Sequence, residues 1–201
     1  HSSLVYMLQC LIGRDRQGLS RFLKIGSPLD EKWLSEVRKS GKDLVLFGAA
    51  FGLADLAEMN LAELPGSSIV IETGGMKTHK REESDRGELH KRLAEGFRLP
   101  LRNVHSEYGM CECLSQAYAV VNGWFRSVPW MSVTIRDPSD PHRICSPGEE
   151  GVIGIIDLAN LYSCSFILTE DRGVAGSNGF QVLGRWNPDN LRGCNFLIDR
   201  D

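Results

Sequence analysis

Residues 43–75 read DLVLFGAAFGLADLAEMNLAELPGSSIVIETGG, and their rhythm decides the fold class. A short apolar run over 43–47 ends at Gly48. Leu53, Leu56, Ala57 and Leu61 then recur at helical spacing, and a second strand-like run over 68–71 ends at Thr73-Gly74-Gly75. A period of two that gives way to 3.6 and returns is the pattern of strand, helix, strand, which favours parallel pairing under a covering helix.

Upstream, Leu8, Leu11, Ile12, Leu19, Phe22 and Leu23 predict a helical face within 5–23. Asp30 is placed to cap a second helix through Trp33, Leu34 and Val37. Downstream, Leu89, Leu93 and Phe97 predict a further helix entered from a charged, exposed loop that begins near Lys77. A strand near 103–105 would continue the alternation. After about residue 115 the pattern changes to short strand-like runs at 117–121, 131–136, 152–157, 166–169 and 181–184, divided by Asp-Pro, Pro-Gly and Ser-Asn-Gly turns. The expected organisation is α/β: a mostly parallel sheet with flanking helices over 1–115, followed by a β-rich subdomain over 116–201.

Composition narrows the function classes. The chain has 201 residues, 42% hydrophobic and 24% charged, so it can build a core and is far from the disordered class. A net charge of -3, from 23 basic and 26 acidic residues, gives no broad footprint for nucleic acid or an anionic membrane. The longest apolar runs, such as 151–158, are far below the roughly 20 residues of a bilayer span. Six cysteines (Cys10, Cys111, Cys113, Cys145, Cys164, Cys194) lack the spacing of a disulfide framework, which points to reduced thiols and a cytoplasmic location. One Cys-x-Cys, at Cys111 and Cys113, is a poor match for the paired knuckles of structural zinc.

Four clusters carry possible chemistry. Glu72-Thr73-Gly74-Gly75-Met76-Lys77 closes a strand with two glycines that would let a ligand approach backbone, although a glycine turn is the common use of such a sequence. Glu107-Tyr108-Gly109-Met110-Cys111-Glu112 sets an aromatic for a base beside a carboxylate for magnesium, or is simply a turn with solvated glutamates. In Thr169-Glu170-Asp171-Arg172-Gly173 a carboxylate could accept ribose hydroxyls, or serve as a cap or turn ion pair. Gly184-Arg185 and Arg192-Gly193-Cys194 offer phosphate-matching arginines and a candidate nucleophilic thiol, although a lone cysteine is more often a small buried hydrophobe.

Taken in order, these motifs resemble the adenylate-forming superfamily of acyl-CoA synthetases, peptide-synthetase adenylation domains and luciferases. Glu107 to Glu112 resembles its Tyr-Gly-x-Thr-Glu motif, Pro147-Gly148-Glu149-Glu150-Gly151 its Gly-Glu-x-Gly turn, Thr169-Glu170-Asp171 its Thr-Gly-Asp, and Gly184-Arg185 its hinge-proximal Gly-Arg. Leu46-Phe47-Gly48, Gly74-Gly75-Met76-Lys77 and the terminal Arg192-Gly193-Cys194 look most like the acyl-protein synthetase (LuxE-type) branch. The resemblance implies ATP and magnesium as cofactors, a carboxylic acid (a fatty acid in this branch) as substrate, and an acyl-CoA reductase or another thiol acceptor as partner.

The same resemblance assigns roles. Gly74 and Gly75 would line the adenine and acyl pocket, and Tyr108, Gly109, Met110 and Cys111 would form the nucleotide-binding turn. Glu112 would hold magnesium, Asp171 the ribose hydroxyls, Arg185 the ribose or phosphate, and Cys194 would accept the acyl group. Three departures stand out: no Ser/Thr/Gly-rich phosphate loop occurs, Cys111 replaces threonine, and Glu170 replaces glycine. The expectation is therefore the C-terminal part of an enzyme, inactive by itself. The alternatives are a phenylacetate-type CoA ligase and a catalytically silent binding module.

Overall fold

The computed structural model describes residues 3–24, 26–59, 63–74, 86–120 and 123–186. These residues fall into two compact units, divided between His105 and Ser106.

The first unit holds α1 (Ser3–Ile12), α2 (Glu31–Ser40), β1 (Val45–Ala49), α3 (Ala50–Met59), β2 (Ile69–Thr73) and α4 (Arg86–Phe97). Strands β1 and β2 run parallel, from Val45 opposite Ile69 to Ala49 opposite Thr73, with α3 as the crossover between them. Leu53 and Ala57 of α3 and Leu89, Leu93 and Phe97 of α4 are buried with Leu46 and Val70 of the strands, as the helical spacing implies. Asp30 caps α2 by accepting from the amides of Lys32 (2.9 Å) and Trp33 (3.4 Å), and Gly41 ends the helix in the left-handed region.

The helix expected within 5–23 is shorter than its apolar spacing suggests, because α1 stops at Ile12. Asp15 accepts from the amides of Gln17 (2.9 Å), Leu19 (2.9 Å) and Ser20 (2.7 Å), which folds the chain into a turn where a helix would have continued. Those bonds hold its carboxyl well below the usual carboxylate range. The charged loop expected from Lys77 toward α4 lies outside the described residues up to residue 85.

The second unit is antiparallel. It takes up β3 (Val104–Tyr108) at its start, then β4 (Ala117–Ala119), β5 (Phe125–Ser127), β6 (Met131–Arg136), β7 (Glu150–Asp157), β8 (Phe166–Gly176) and β9 (Gly179–Arg185). Their spatial order is β3-β4-β5-β9-β8-β7-β6. Phe125, Ile135, Ile153, Ile155 and Phe180 form its core. The sequence reading ended the fourth strand run at Thr169, whereas β8 runs on to Gly176. The polar stretch after Thr169 stays extended because its charges find cross-strand partners. Arg172 bonds Glu150 of β7 at 2.7 Å, and Asp171 pairs with Arg185 of β9.

Candidate active site

The second unit brings three of the sequence-predicted residues together. Tyr108 ends β3, Asp171 lies in the middle of β8 and Arg185 ends β9. The Tyr108 hydroxyl donates to Asp171 Oδ2 at 2.8 Å, and Arg185 Nε lies 3.7 Å from Asp171 Oδ1. The Asp171 amide donates to Thr169 Oγ1 (3.0 Å), whose own hydroxyl donates to the Ile153 carbonyl at 2.9 Å. The carboxylate is thus held at both its backbone and its side chain. Its side chain keeps 17% exposure. Since a carboxylate offers about four lone-pair directions, capacity remains for two hydroxyls of a ligand.

Tyr108 is wedged by its ring. The Phe125 and Phe180 rings meet it edge-on at 5.8 and 5.7 Å, and they stack on each other at 5.6 Å. Burial, and then the Asp171 charge and bond, push the phenol far above its ordinary value, so it remains a hydrogen-bond donor at neutral pH. Sequence reasoning set Tyr108 beside a base but missed Phe125 and Phe180. Phe180 stands one residue before the run identified as a strand, and Phe125 lies on a three-residue strand too short to show a period.

Backbone geometry at two glycines shapes this cluster. A Cβ on Gly109 would press on the Glu107 carboxylate and approach Gln116 Cγ to 3.1 Å, so a larger residue there would require both side chains to shift. Gly184 has φ 106 and faces Arg172, next to a register shift between Arg172 and Gly173. The irregularity re-aims β9 so that the next residue, Arg185, sits opposite Asp171.

After Gly109 the chain makes a turn in which the Cys113 amide donates to the Met110 carbonyl at 3.1 Å. Met110 packs against the core, Cys111 and Glu112 are exposed, and Cys113 is buried. Burial, with the nearby Asp157 and Glu112 charges, pushes the Cys113 thiol up to about 11. The Glu112 carboxylate makes no hydrogen bond or ion pair with any described residue. Among the described residues no three His, Cys, Asp or Glu side chains converge to hold a metal. One unpaired, exposed carboxylate does fit magnesium, which is usually bound by one or two carboxylates together with substrate phosphates and water.

Sequence reasoning missed Asp157, which is fully buried at the end of β7. It accepts from the amides of Leu114 (2.8 Å) and Ser115 (2.9 Å), from Ser115 Oγ (2.7 Å) and from the Ala159 amide (3.1 Å). Burial pushes its carboxyl up, but these donors outweigh it and hold it below the ordinary value. The usable signal was a charged residue closing an otherwise apolar run.

In the first unit, Gly74 follows β2 with φ 87. Two residues before it, Glu72 is 1% exposed and pairs with Arg86 Nε at 3.2 Å and His90 Nε2 at 3.5 Å, both from α4. Gly75 and Cys194 lie outside the described residues. In the Pro147–Gly151 turn, Glu149 accepts from the Ser146 amide (2.9 Å) and pairs with Arg143, while Glu150 pairs with Arg172.

Solved structures share this architecture. The O-succinylbenzoate coenzyme A synthetase MenE of Bacillus subtilis in complex with AMP aligns with a TM-score of 0.51 and 20% identity, over 78% of this chain and 34% of that one. A luciferase-like enzyme of the mealworm Zophobas morio gives 0.53 and 19%, over 86% and 42%. ATP-bound MatB of Rhodopseudomonas palustris gives 0.52 and 16%, over 78% and 33%. The fold is that of the adenylate-forming enzymes, and the chain spans about a third to two fifths of the length of these structures. None of the curated proteins matches it in sequence. Residues 27–201 match the LuxE acyl-protein synthetase family, and the chain belongs to that family. No helix among the described residues is long and apolar enough to cross a membrane.

Proposed function

We propose that the protein of which this chain forms part or all activates a carboxylic acid, a fatty acid in the first instance, with ATP, and then passes the acyl group to a thiol. The observation that carries this reading is the convergence of Tyr108, Asp171 and Arg185, 63 residues apart in sequence at their first two members, on one hydrogen-bonded carboxylate.

Asp171 accepts the ribose hydroxyls, with Tyr108 and Arg185 fixing its rotamer, and the Tyr108–Gly109–Met110–Cys111 backbone forms the wall beside the adenine. The family resemblance would give Gly74 and Gly75 a share in adenine and acyl binding. Glu112 would hold magnesium, which when bound would supply positive charge against the developing phosphate charge. A substrate carboxylate oxygen attacks the α-phosphorus and pyrophosphate departs, giving an acyl-adenylate. The Cys194 thiol, as thiolate, then attacks the acyl carbonyl, its proton passing to solvent and AMP leaving. An acyl-CoA reductase would suit as the next acceptor, because a thioester is ready for reduction. A reducing compartment such as the cytoplasm keeps that thiol available.

Acid-dependent exchange of labelled pyrophosphate into ATP by the natural protein tests the first half. Glu112→Gln is expected to lower it on the order of a hundredfold with the fold intact. Cys194→Ser is expected to keep exchange and lose the hydroxylamine-sensitive acyl label. Parent-level exchange by a folded Glu112→Gln protein would remove the magnesium assignment, and a label persisting without Cys194 would remove the acceptor.

A further inference from the structure

We infer that Asp157 and Asn160 are positioning residues that aim the Glu112 carboxylate, an inference that rests on Glu112 being the magnesium holder. Both come from one stretch, Asp157-Leu158-Ala159-Asn160, where β7 ends and a single 3-10 turn (Leu158–Asn160) begins. They grip the chain on either side of Cys113. Asn160, 6% exposed, donates from Nδ2 to the Glu112 carbonyl at 2.6 Å and to the Cys164 carbonyl at 2.9 Å. Asp157 takes the Leu114 and Ser115 amides and the Ser115 hydroxyl. The two peptide planes that flank Cys113, the first of them the plane that follows Glu112, are therefore fixed from outside the turn. A turn held only by its own Cys113-to-Met110 bond would leave the direction of the Glu112 side chain open.

The residue types suit the task. Asp157 faces four donors, and only an ionised carboxylate can accept them all without presenting a hydrogen of its own. Asn160 faces two carbonyls, which require the two hydrogens of an amide nitrogen. A third support comes from Trp130, whose ring nitrogen donates to Ser115 Oγ at 3.0 Å and whose carbonyl accepts from the Leu158 amide at 3.0 Å. The exposed Glu112 carboxylate is thus mounted on a frame of buried polar groups, each with its partner. Partners one layer behind a metal ligand commonly matter about 10- to 100-fold in metal affinity.

The test separates aiming from folding. In the natural protein, pyrophosphate exchange is measured against Mg2+ concentration at saturating ATP and acid for the parent, Asn160→Ala, Glu112→Gln and the double variant. Binding of Mn2+ in the presence of ATP is followed in parallel by electron paramagnetic resonance, which needs no turnover. Asn160→Ala is expected to raise the half-saturating Mg2+ and the Mn2+ dissociation constant about tenfold, with the maximum rate largely recovered at high Mg2+. Added to Glu112→Gln it should change neither further. Asn160→Gln, which keeps the amide, should recover part of the loss.

If Asn160→Ala lowers the melting temperature or the maximum rate but leaves both metal constants at parent values while Glu112→Gln shifts them, the inference is overturned and the adenylation reading stands. If Glu112→Gln leaves the metal constants unchanged, the magnesium assignment and this inference fall while the adenylation reading stands; if the parent neither exchanges nor binds Mn2+ with ATP, the adenylation reading falls with them. Asp157→Asn, measured alongside, is expected to raise both metal constants in the same direction; should it fail to fold, the Asn160 variants still decide the question.

Discussion

Replacing Tyr108 by phenylalanine removes one oxygen from the candidate site and leaves the Phe125 and Phe180 contacts in place. The lost bond, 2.8 Å to a carboxylate, is of the charge-assisted kind, worth about 1.5–3 kcal/mol. Water can reach Asp171 through its 17% exposed side chain and replace part of it, so the low end, about 1.5 kcal/mol, is expected at pH 8. For a chain of this size that lowers the melting temperature by about 3–6 °C. The pH dependence is the sharper test. Folding raises the Tyr108 pKa above its ordinary 10.0, so above pH 10 the unfolded chain loses the proton first and the folded state holds more protons than the unfolded. Stability must then fall with rising pH: the contribution is complete below pH 10 and is lost as pH climbs beyond it, by about 1.4 kcal/mol at pH 11. The phenylalanine variant has no such proton to lose. Urea unfolding of both proteins at pH 8, 9, 10 and 11, followed by tryptophan fluorescence, should therefore show the gap closing to near zero. Tyr118 and Cys113, whose pKa values are also raised, titrate in both proteins and cancel. A gap that stays constant from pH 8 to 11 would refute a buried, protonated phenol at this position.

Gly184→Ala forces a side chain onto a φ of 106 and is expected to cost about 1–3 kcal/mol in unfolding free energy and, on the proposed function, to weaken ATP binding by displacing Arg185; parent stability in urea would disprove the strain. Ellman's reagent at pH 8 should label Cys10, Cys111 and Cys164 quickly and leave buried Cys113 and Cys145 untouched until urea is added; peptide mapping that finds Cys113 among the fast thiols would contradict its raised pKa. Bonds from Arg143 and then Ser146 lower the Glu149 pKa, so their support of the Pro147–Gly151 turn is present above its ordinary 4.5 and lost as pH falls below it. Hydrogen exchange at the Ser146 amide, corrected for its intrinsic rate, should lose protection between pH 5 and 3, and protection unchanged across that range would count against the pairing.

What the sequence made legible were features whose signal is local. Asp30 before an apolar period, and Leu89, Leu93 and Phe97 on one face, mark helices because capping and burial act within a few residues. Met131–Arg136 is bounded as its alternation implies. The motif order led to the adenylate-forming fold. Where partners lie far away in the chain, the signal was mute. Thr169 to Gly173 looks like a polar turn until Arg172 is seen against Glu150 and Asp171 against Arg185. Asp15 ends a helix with three bonds that no apolar period reports. The grip of Asp157 on Leu114 and Ser115 spans more than forty residues, and a carboxylate at the end of a strand looks like any surface charge until its burial is known.

Strand β9 is the last described element of the chain, yet it lies inside its sheet, with β5 on one side and β8 on the other. During synthesis, β5 and β8 emerge first and must wait with bare edges for residues 179–185 before the row can close. Until then Asp171 has no Arg185 opposite, and the exposed ladders are templates for pairing with other chains. Nascent chains halted before residue 179 should consequently be captured by chaperones or cut by protease, and those halted far enough past 185 to clear the ribosome should resist. A sheet that closes on a late central strand thus carries a vulnerable interval on the ribosome.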